Sequence, residues 1–450
     1  MRLMASILTH LPEPRTVSNR ADLRRALVRN AFAVFAVAVV VRLLAAALLQ
    51  PHFGTDVTDL YDVMGRNLLA GHGFSYQAVR AVPSVTRAPF YPLYWAAALE
   101  VFGRNFILLR MAEGIVDATT AALVVALSAA LYELPRRYVG SPALDSASNE
   151  SQSRVVAIAT CAGAVYAVQP FSIYYALKLS SETWFTLWLV LALLCIVRWY
   201  RAPGYGRAVI VGAVLGVLML NKSTGAGLVF LLVIAGLILS RKWGRVAYLS
   251  SLVAVAIAAL VIMPWLVRDY RVAGDRFVPI QTLTWWNFWS DFDFSPSRQT
   301  NTVATHYGPG GGHPYGLSAE ADVQQEARLR TQAFRWIWAH PGGFAKKIGQ
   351  NLLEFWYLVQ GTRQAQVIFA GSALGLVLAC LGGWIAWRGR RRVVVALIAI
   401  VVLYFDVLYS PIKAVFHYSL VVVPLLCVLQ AYLLWWILER VSYRRIRKSA

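Results

Sequence analysis

Apolar runs of about 20 residues, separated by short polar or basic stretches, recur from one end of the chain to the other. The first extends from Asn30 to Gln50. Others cover about 106–132, 155–175, 183–200, 208–221, 224–240, 246–263, 366–386, 393–410 and 417–438. Nearly every run is long enough to cross a hydrocarbon layer of roughly 30 Å as a helix. A backbone in hydrocarbon must satisfy its own hydrogen bonds, which a helix does. The pattern therefore predicts an all-α polytopic membrane protein with about ten (9–12) transmembrane helices.

The rhythm breaks twice. Residues 51–104 begin with a polar stretch, Pro51 to Arg87, followed by an aromatic segment, Pro89 to Phe102. That segment is too short to cross comfortably and is expected to lie as an interfacial or re-entrant helix. Residues 264–365 form a longer polar insert, with a glycine-rich tract from Gly308 to Gly312 and a helical pattern from Ala319 to His340. So long an insert among short connections is usually functional or a lid. The chain thus divides into a basic N-terminus (1–29), a membrane module (30–263) that includes the 51–104 loop, the large loop 264–365, C-terminal helices (366–438) and a basic tail (439–450).

With 58% hydrophobic and only 14% charged residues, a soluble chain of this length would have no single core able to hide its apolar surface. The formal charge of +21 invites a nucleic-acid reading, but its placement argues otherwise. The segments 1–29, 134–154, 198–207, 241–245, 388–392 and 440–450 hold 24 of the 43 Lys and Arg and only four of the 22 Asp and Glu. That is the positive-inside pattern. It predicts both termini and these loops in the cytoplasm, with the basicity facing anionic membrane lipids and no nucleic-acid partner. Residues 51–104 and 264–365 then face outward and, with Glu182, hold 13 of the 22 acids. The N-terminal apolar run lacks a small-residue cleavage site and reads as a permanent span. An alanine- and arginine-rich composition suggests a bacterial inner (plasma) membrane. Cys161, Cys195, Cys380 and Cys427 all lie in apolar runs without metal spacing, so packing is their expected role.

Polar residues at the outer rim carry the candidate chemistry. Asp56, Asp59 and Asp62 recur every three positions, which places them near one face of a helix. Such carboxylates either serve as a general base for a hydroxyl or simply favour a helix N-terminus. Arg87, Lys222, Arg268 and His417 all fall at the same predicted membrane surface. They would supply donors for a phosphate, or act as interfacial anchors. Arg42 lies deep in the first span, where Glu113 or Asp117 would offset its charge. Trp285, Trp286 and Trp289 suit either sugar stacking or a membrane interface.

Several segments, taken in order, resemble the bacterial membrane glycosyltransferases of the GT-C class, specifically the family-39-like relatives of protein O-mannosyltransferase and lipid A aminoarabinose transferase. They are the Asp-containing start of the first loop with YDVMGRNLLAGHGF, then RAPFYP, YYALKLSSET, PWLVRDYRVAGDRFVP, IWAHPGGFAKKIGQNLLEFW and HYSLVVVP. The resemblance implies a GT-C-like bundle and a polyprenyl-phosphate-linked sugar as donor, used on the extracytoplasmic face. Direct displacement at the anomeric carbon would invert configuration, with a lipid, protein or polysaccharide as the acceptor, and the resemblance suggests no cofactor or obligatory metal. The family's catalytic Asp corresponds best to Asp56. Relatives commonly hold it one position nearer the tyrosine that Tyr61 matches, so Asp59 stays in contention. Arg87, Tyr91, Glu182, Lys222, Arg268 and His417 become the implied substrate-binding residues. Relatives often carry Arg where Lys222 and His417 stand. The alternative from another class is a multi-pass transporter or flippase of an anionic or glycan substrate, which would place paired polar groups at mid-bilayer. A structural or assembly subunit of the membrane is the third reading.

Overall fold

The computed structural model describes residues 20–53, 61–75, 82–133, 148–293, 318–357, 363–389 and 391–449. All regular structure among them is helical. In chain order the helices are α1 (Arg20–Phe53), α2 (Tyr61–Leu69), α3 (Phe90–Phe102), α4 (Phe106–Tyr132), α5 (Ser148–Ala167), α6 (Pro170–Leu177), α7 (Ser181–Arg201) and α8 (Tyr205–Asn221). They continue as α9 (Gly227–Trp243), α10 (Arg245–Val272), α11 (Thr284–Asp293), α12 (Ala319–Ala339), α13 (Pro341–Glu354), α14 (Arg363–Arg388), α15 (Arg392–Tyr409) and α16 (Val423–Ser449). Two 3-10 turns, Ser223–Ala226 and Phe416–Val422, lead into α9 and α16.

Eight of these helices, two of them counted with their 3-10 turns, are long and apolar enough to cross a membrane, and the bent pair α5–α6 makes a ninth if it is one span. Helix α8 is apolar but has 17 residues. The protein is an all-α, multi-pass membrane protein, and each expected span has a counterpart among these elements, the 155–175 run in two of them. The segment read as too short to cross is the 13-residue helix α3, which buries Tyr91, Trp95 and Leu99. Two boundaries differ from expectation. The 155–175 run breaks by 49° between α5 and α6, where the Gln169 side chain accepts the Ser172 N–H (2.7 Å) and starts a new helix at Pro170. The run expected to end at 263 continues through Pro264 to Val272, so Arg268 sits on a helix end.

Small residues let the helices approach closely. A side chain at Gly212 would strike the Ala254 carbonyl, and one at Gly382 would strike the Leu429 carbonyl. Gly382→Leu is expected to separate α14 from α16 and to lower thermal stability by roughly 1–3 kcal/mol or more, read by unfolding in detergent. Deep in the bundle, Arg42 Nε donates to Asp117 Oδ2 (2.8 Å) and Arg42 Nη1 to the Ala167 carbonyl (2.6 Å). The Tyr166 hydroxyl donates to Asp117 Oδ1 (2.5 Å). Of the two partners open to Arg42, the structure selects Asp117, and Glu113 accepts from Tyr91 (2.8 Å) instead. Asp117→Leu leaves a buried guanidinium without its counter-charge and should cost about 3–5 kcal/mol in the same unfolding measurement.

The bundle has two distinct ends. At one, Arg201 Nη1 pairs with Glu133 (2.7 Å), Arg391 donates to the Tyr132 carbonyl (2.9 Å) and Arg154 pairs with Glu439 (2.9 Å). Helix α7 runs from that end to the other, where Glu182 in its first turn meets Lys222 and His417. The basic connections and the candidate site thus occupy opposite ends. Part of the long insert packs as its own aromatic cluster, with Phe288 and Trp289 of α11 against Leu329, Ala333 and Trp336 of α12. Trp289 donates to the Leu329 carbonyl (3.2 Å) and is a packing residue, while Trp285 and Trp286 remain half-buried.

Candidate functional site

The site grows from three chain turns. Leu179, in the left-handed region (φ 59°), redirects the chain after α6 so that Ser180 precedes α7 in extended conformation and Glu182 falls in its first turn. A carboxylate there is favoured by the exposed amides of the helix start. The second turn is Lys222–Ala226, where Lys222 leaves α8 with extended backbone and pairs its ammonium with Glu182. Burial alone would lower the lysine pKa, but the Glu182 carboxylate outweighs it and holds the group above the usual lysine range. The third is the turn before α16, which brings His417 Nε2 to 3.7 Å from the same Glu182 oxygen.

Aromatic residues fix these turns. Lys222 Nζ lies 5.1 Å from the centroid of the Tyr418 ring, which stacks on Tyr409 at 4.4 Å. The Tyr409 hydroxyl donates to Thr224 Oγ1 (3.3 Å), and the Tyr404 hydroxyl donates to the Thr224 carbonyl (2.6 Å) while accepting the Gly227 N–H (3.1 Å). Gly227 is required by that approach, since a Cβ would overlap the Tyr404 ring. Gly227→Ala is expected to displace the Lys222 turn at a cost of about 1–3 kcal/mol. A red-shifted tyrosine and tryptophan emission together with weaker anion binding would register it.

Beside these turns lies a cavity of about 410 Å³, lined by Tyr61, Arg87, Asn221, Lys222, Gln281, Asn287, Tyr404, Lys413 and Tyr418 among others. Three cations face it, and no carboxylate appears in its lining among the described residues. Asn221 is 2% exposed, and neither polar atom of its side chain has a hydrogen-bond partner among those residues. An unsatisfied buried amide costs about 1–3 kcal/mol, which a polar ligand would relieve. The cavity therefore suits an anion presented with hydrogen-bonding oxygens, such as a phosphate ester.

Helices α9 and α15 continue from this cavity into a second space. Ala226, Gly227, Phe230, Tyr404 and Leu408 line the cationic cavity. The adjoining turns, with Leu228, Leu231, Ile238, Leu397 and Val401, line a groove of about 270 Å³. Tyr200 is the only residue of that groove with a polar side-chain atom among those described. From Leu228 to Ile238 it follows about 15 Å of helix.

The residues singled out by sequence divide as follows. Arg87 and Lys222 share the cavity, with the Arg87 guanidinium 5.9 Å from the Tyr61 ring centroid. Glu182 and His417 stand behind Lys222. Tyr91 packs beneath Tyr61, ring to ring at 4.6 Å, and burial beside Glu113 pushes its phenol pKa up, keeping it a neutral donor. Arg268 does not line the cavity. It donates to the Ser84 carbonyl (2.6 Å) and to Asp269 (2.7 Å), with Trp265 and Phe74 beside its guanidinium, and so braces the strap that carries Arg87. Asp62 pairs with Arg66 (3.1 Å) and Arg104 (3.3 Å). Asp56 and Asp59 lie outside the described residues, in the segment just before Tyr61. Sequence reasoning missed Lys413 and Asn221. Lys413 lies four residues before His417 in the same short connection, and a charge there was the available signal. No family model matches the chain, and no curated protein matches it significantly.

Proposed function

We propose that the protein is an integral membrane glycosyltransferase that moves a sugar from a polyprenyl-phosphate donor to an acceptor hydroxyl at the extracytoplasmic surface. The observation that carries this reading is a cationic, hydrogen-bonding cavity followed by an apolar groove on the neighbouring turns of the same two helices. A ligand matching both has a phosphate head and a long hydrocarbon tail. Arg87, Lys222 and Lys413 would neutralise the phosphate, with Asn221 donating to one of its oxygens.

Transfer then needs a base and a stabilised leaving group. The acceptor oxygen attacks the anomeric carbon as its proton passes to a carboxylate, Asp56 or Asp59 of the segment that leads into Tyr61. The bond from that carbon to the phosphate oxygen breaks, and its electron pair leaves with polyprenyl phosphate, whose growing charge the cations offset. No acid is required because the phosphate is itself a good leaving group. A single displacement inverts the anomeric centre. The positive-inside pattern supports the same sidedness, since the basic loops occupy the end of the bundle remote from the cavity. Transport is less well supported, because the mid-bundle charges Arg42 and Asp117 are bonded to each other, to Tyr166 and to the Ala167 carbonyl.

The test is mass spectrometry of envelope glycolipids and glycoproteins from a deletion strain, followed by NMR of the anomeric centre in the product. A glycan lacking one sugar, restored by the intact gene with inverted configuration, is the expected result. An unchanged glycan profile defeats the proposal, and a retained anomer defeats the single-step mechanism.

A further inference from the structure

A second cavity of about 250 Å³ opens beside the cationic one, between the 273–283 turn and helix α12. Gln281 and Thr284 line both, so the two cavities adjoin along these side chains. Its chemistry is different. Phe277 and Trp285 supply aromatic faces, and Glu326 and Arg330, one turn apart on α12, supply a carboxylate and a guanidinium.

The segment that the two cavities share is held in place from several directions. The Thr282 N–H and hydroxyl both donate to the Val85 carbonyl (3.1 and 3.3 Å), and the Trp265 indole donates to the Ile280 carbonyl (3.1 Å). Ile280 adopts φ 56°, a region that β-branched residues avoid, and so turns the chain just before Gln281. Glu326 accepts the N–H groups of Trp285 (3.0 Å) and Trp286 (3.3 Å), which orients its carboxylate against the start of α11. Phe277 is nonetheless 72% exposed, an apolar ring presented to solvent on a braced turn.

An aromatic platform next to a carboxylate, a guanidinium and an amide fits a ring with an apolar face and hydroxyls at its edge. Carbon-bound hydrogens stack on the aromatic face, and the hydroxyls donate to Glu326 and accept from Arg330 or Gln281. A hydrocarbon chain would gain nothing from those polar groups, and a phosphate would face the Glu326 carboxylate. We propose that this pocket binds a sugar ring of a carbohydrate acceptor, and that the two cavities are the acceptor and donor halves of one site. This rests on the transferase reading for its role, while sugar binding stands or falls by itself.

The experiment uses the full chain in lipid nanodiscs and saturation-transfer NMR with the methyl glycosides of glucose, galactose, mannose and arabinose. At least one glycoside should receive saturation on its ring-face protons. The signal should be lost in Phe277→Ala, which removes the platform, and in Ala327→Trp, which fills the pocket from an exposed helix position. Lys413→Ala, on the donor side, should keep it. Polyprenyl phosphate binding, measured separately by tryptophan quenching, should survive Phe277→Ala and weaken in Lys413→Ala. Absence of transfer to all four glycosides overturns the proposal, as does a signal that persists in both pocket variants. Sugar binding without any polyprenyl phosphate binding would instead defeat the donor reading and leave the pocket standing.

Discussion

Lys222→Ala is expected to abolish donor binding and to cost about 3–5 kcal/mol of stability, because it strands a buried carboxylate. Glu182 is 5% exposed, and its remaining cationic neighbour is His417 at 3.7 Å, a weaker and conditional partner. The two effects are separable. A Glu182→Gln/Lys222→Met double variant removes both charges and should recover much of the stability without recovering polyprenyl phosphate binding. Thermal unfolding and lipid-phosphate binding, measured on both variants, decide the matter. If the double variant binds the lipid phosphate as well as the unaltered protein, Lys222 serves folding alone. The pH dependence has a definite sign. The folded pKa of Lys222 is raised, so its contribution is intact below the unfolded lysine value of about 10.4 and is lost only as pH rises through the folded one. Loss of this pair near neutral pH would contradict the geometry.

The second large effect concerns the segment before Tyr61. One of Asp56→Asn and Asp59→Asn should lower kcat by about 10²–10⁴, the usual contribution of a positioned base. Donor binding and expression should hardly change, since the amide keeps the size and loses only basicity. The other substitution should be nearly silent, which resolves the choice that spacing leaves open. Full turnover in both single variants and in the double variant would remove the chemical step from this protein.

Much of the architecture was legible because hydrocarbon imposes a severe rule on sequence. Each expected span has a counterpart among the helices, and the shortness of Phe90–Phe102 identified α3 as an exception. The partner of Arg42 was narrowed to two acids by depth alone, and packing chose Asp117. The break after Ala167 was harder to see, because it depends on one Gln–Pro pair inside an apolar run. The continuation of α10 past Pro264 was equally hidden, since polarity marks where a membrane ends and says little about where a helix does. At the site, Arg87 and Lys222 were identifiable from charge at the rim, whereas Arg268 looked equivalent and is occupied by Ser84 and Asp269. Lys413 and Asn221, whose side chain has no hydrogen-bond partner among the described residues, became visible only once distant segments were folded onto one cavity.

Tyr404 ties α15 to the turn entering α9 through both an N–H and a carbonyl of that turn. Mechanically this is a pin at one end of a pair of levers, with the greasy slot lying beyond it. A wedge entering that slot sideways would press on the stretch beyond the pin and leave the pinned end still. On the proposed reading, tail length would then govern how long a lipid stays while its head keeps the same address.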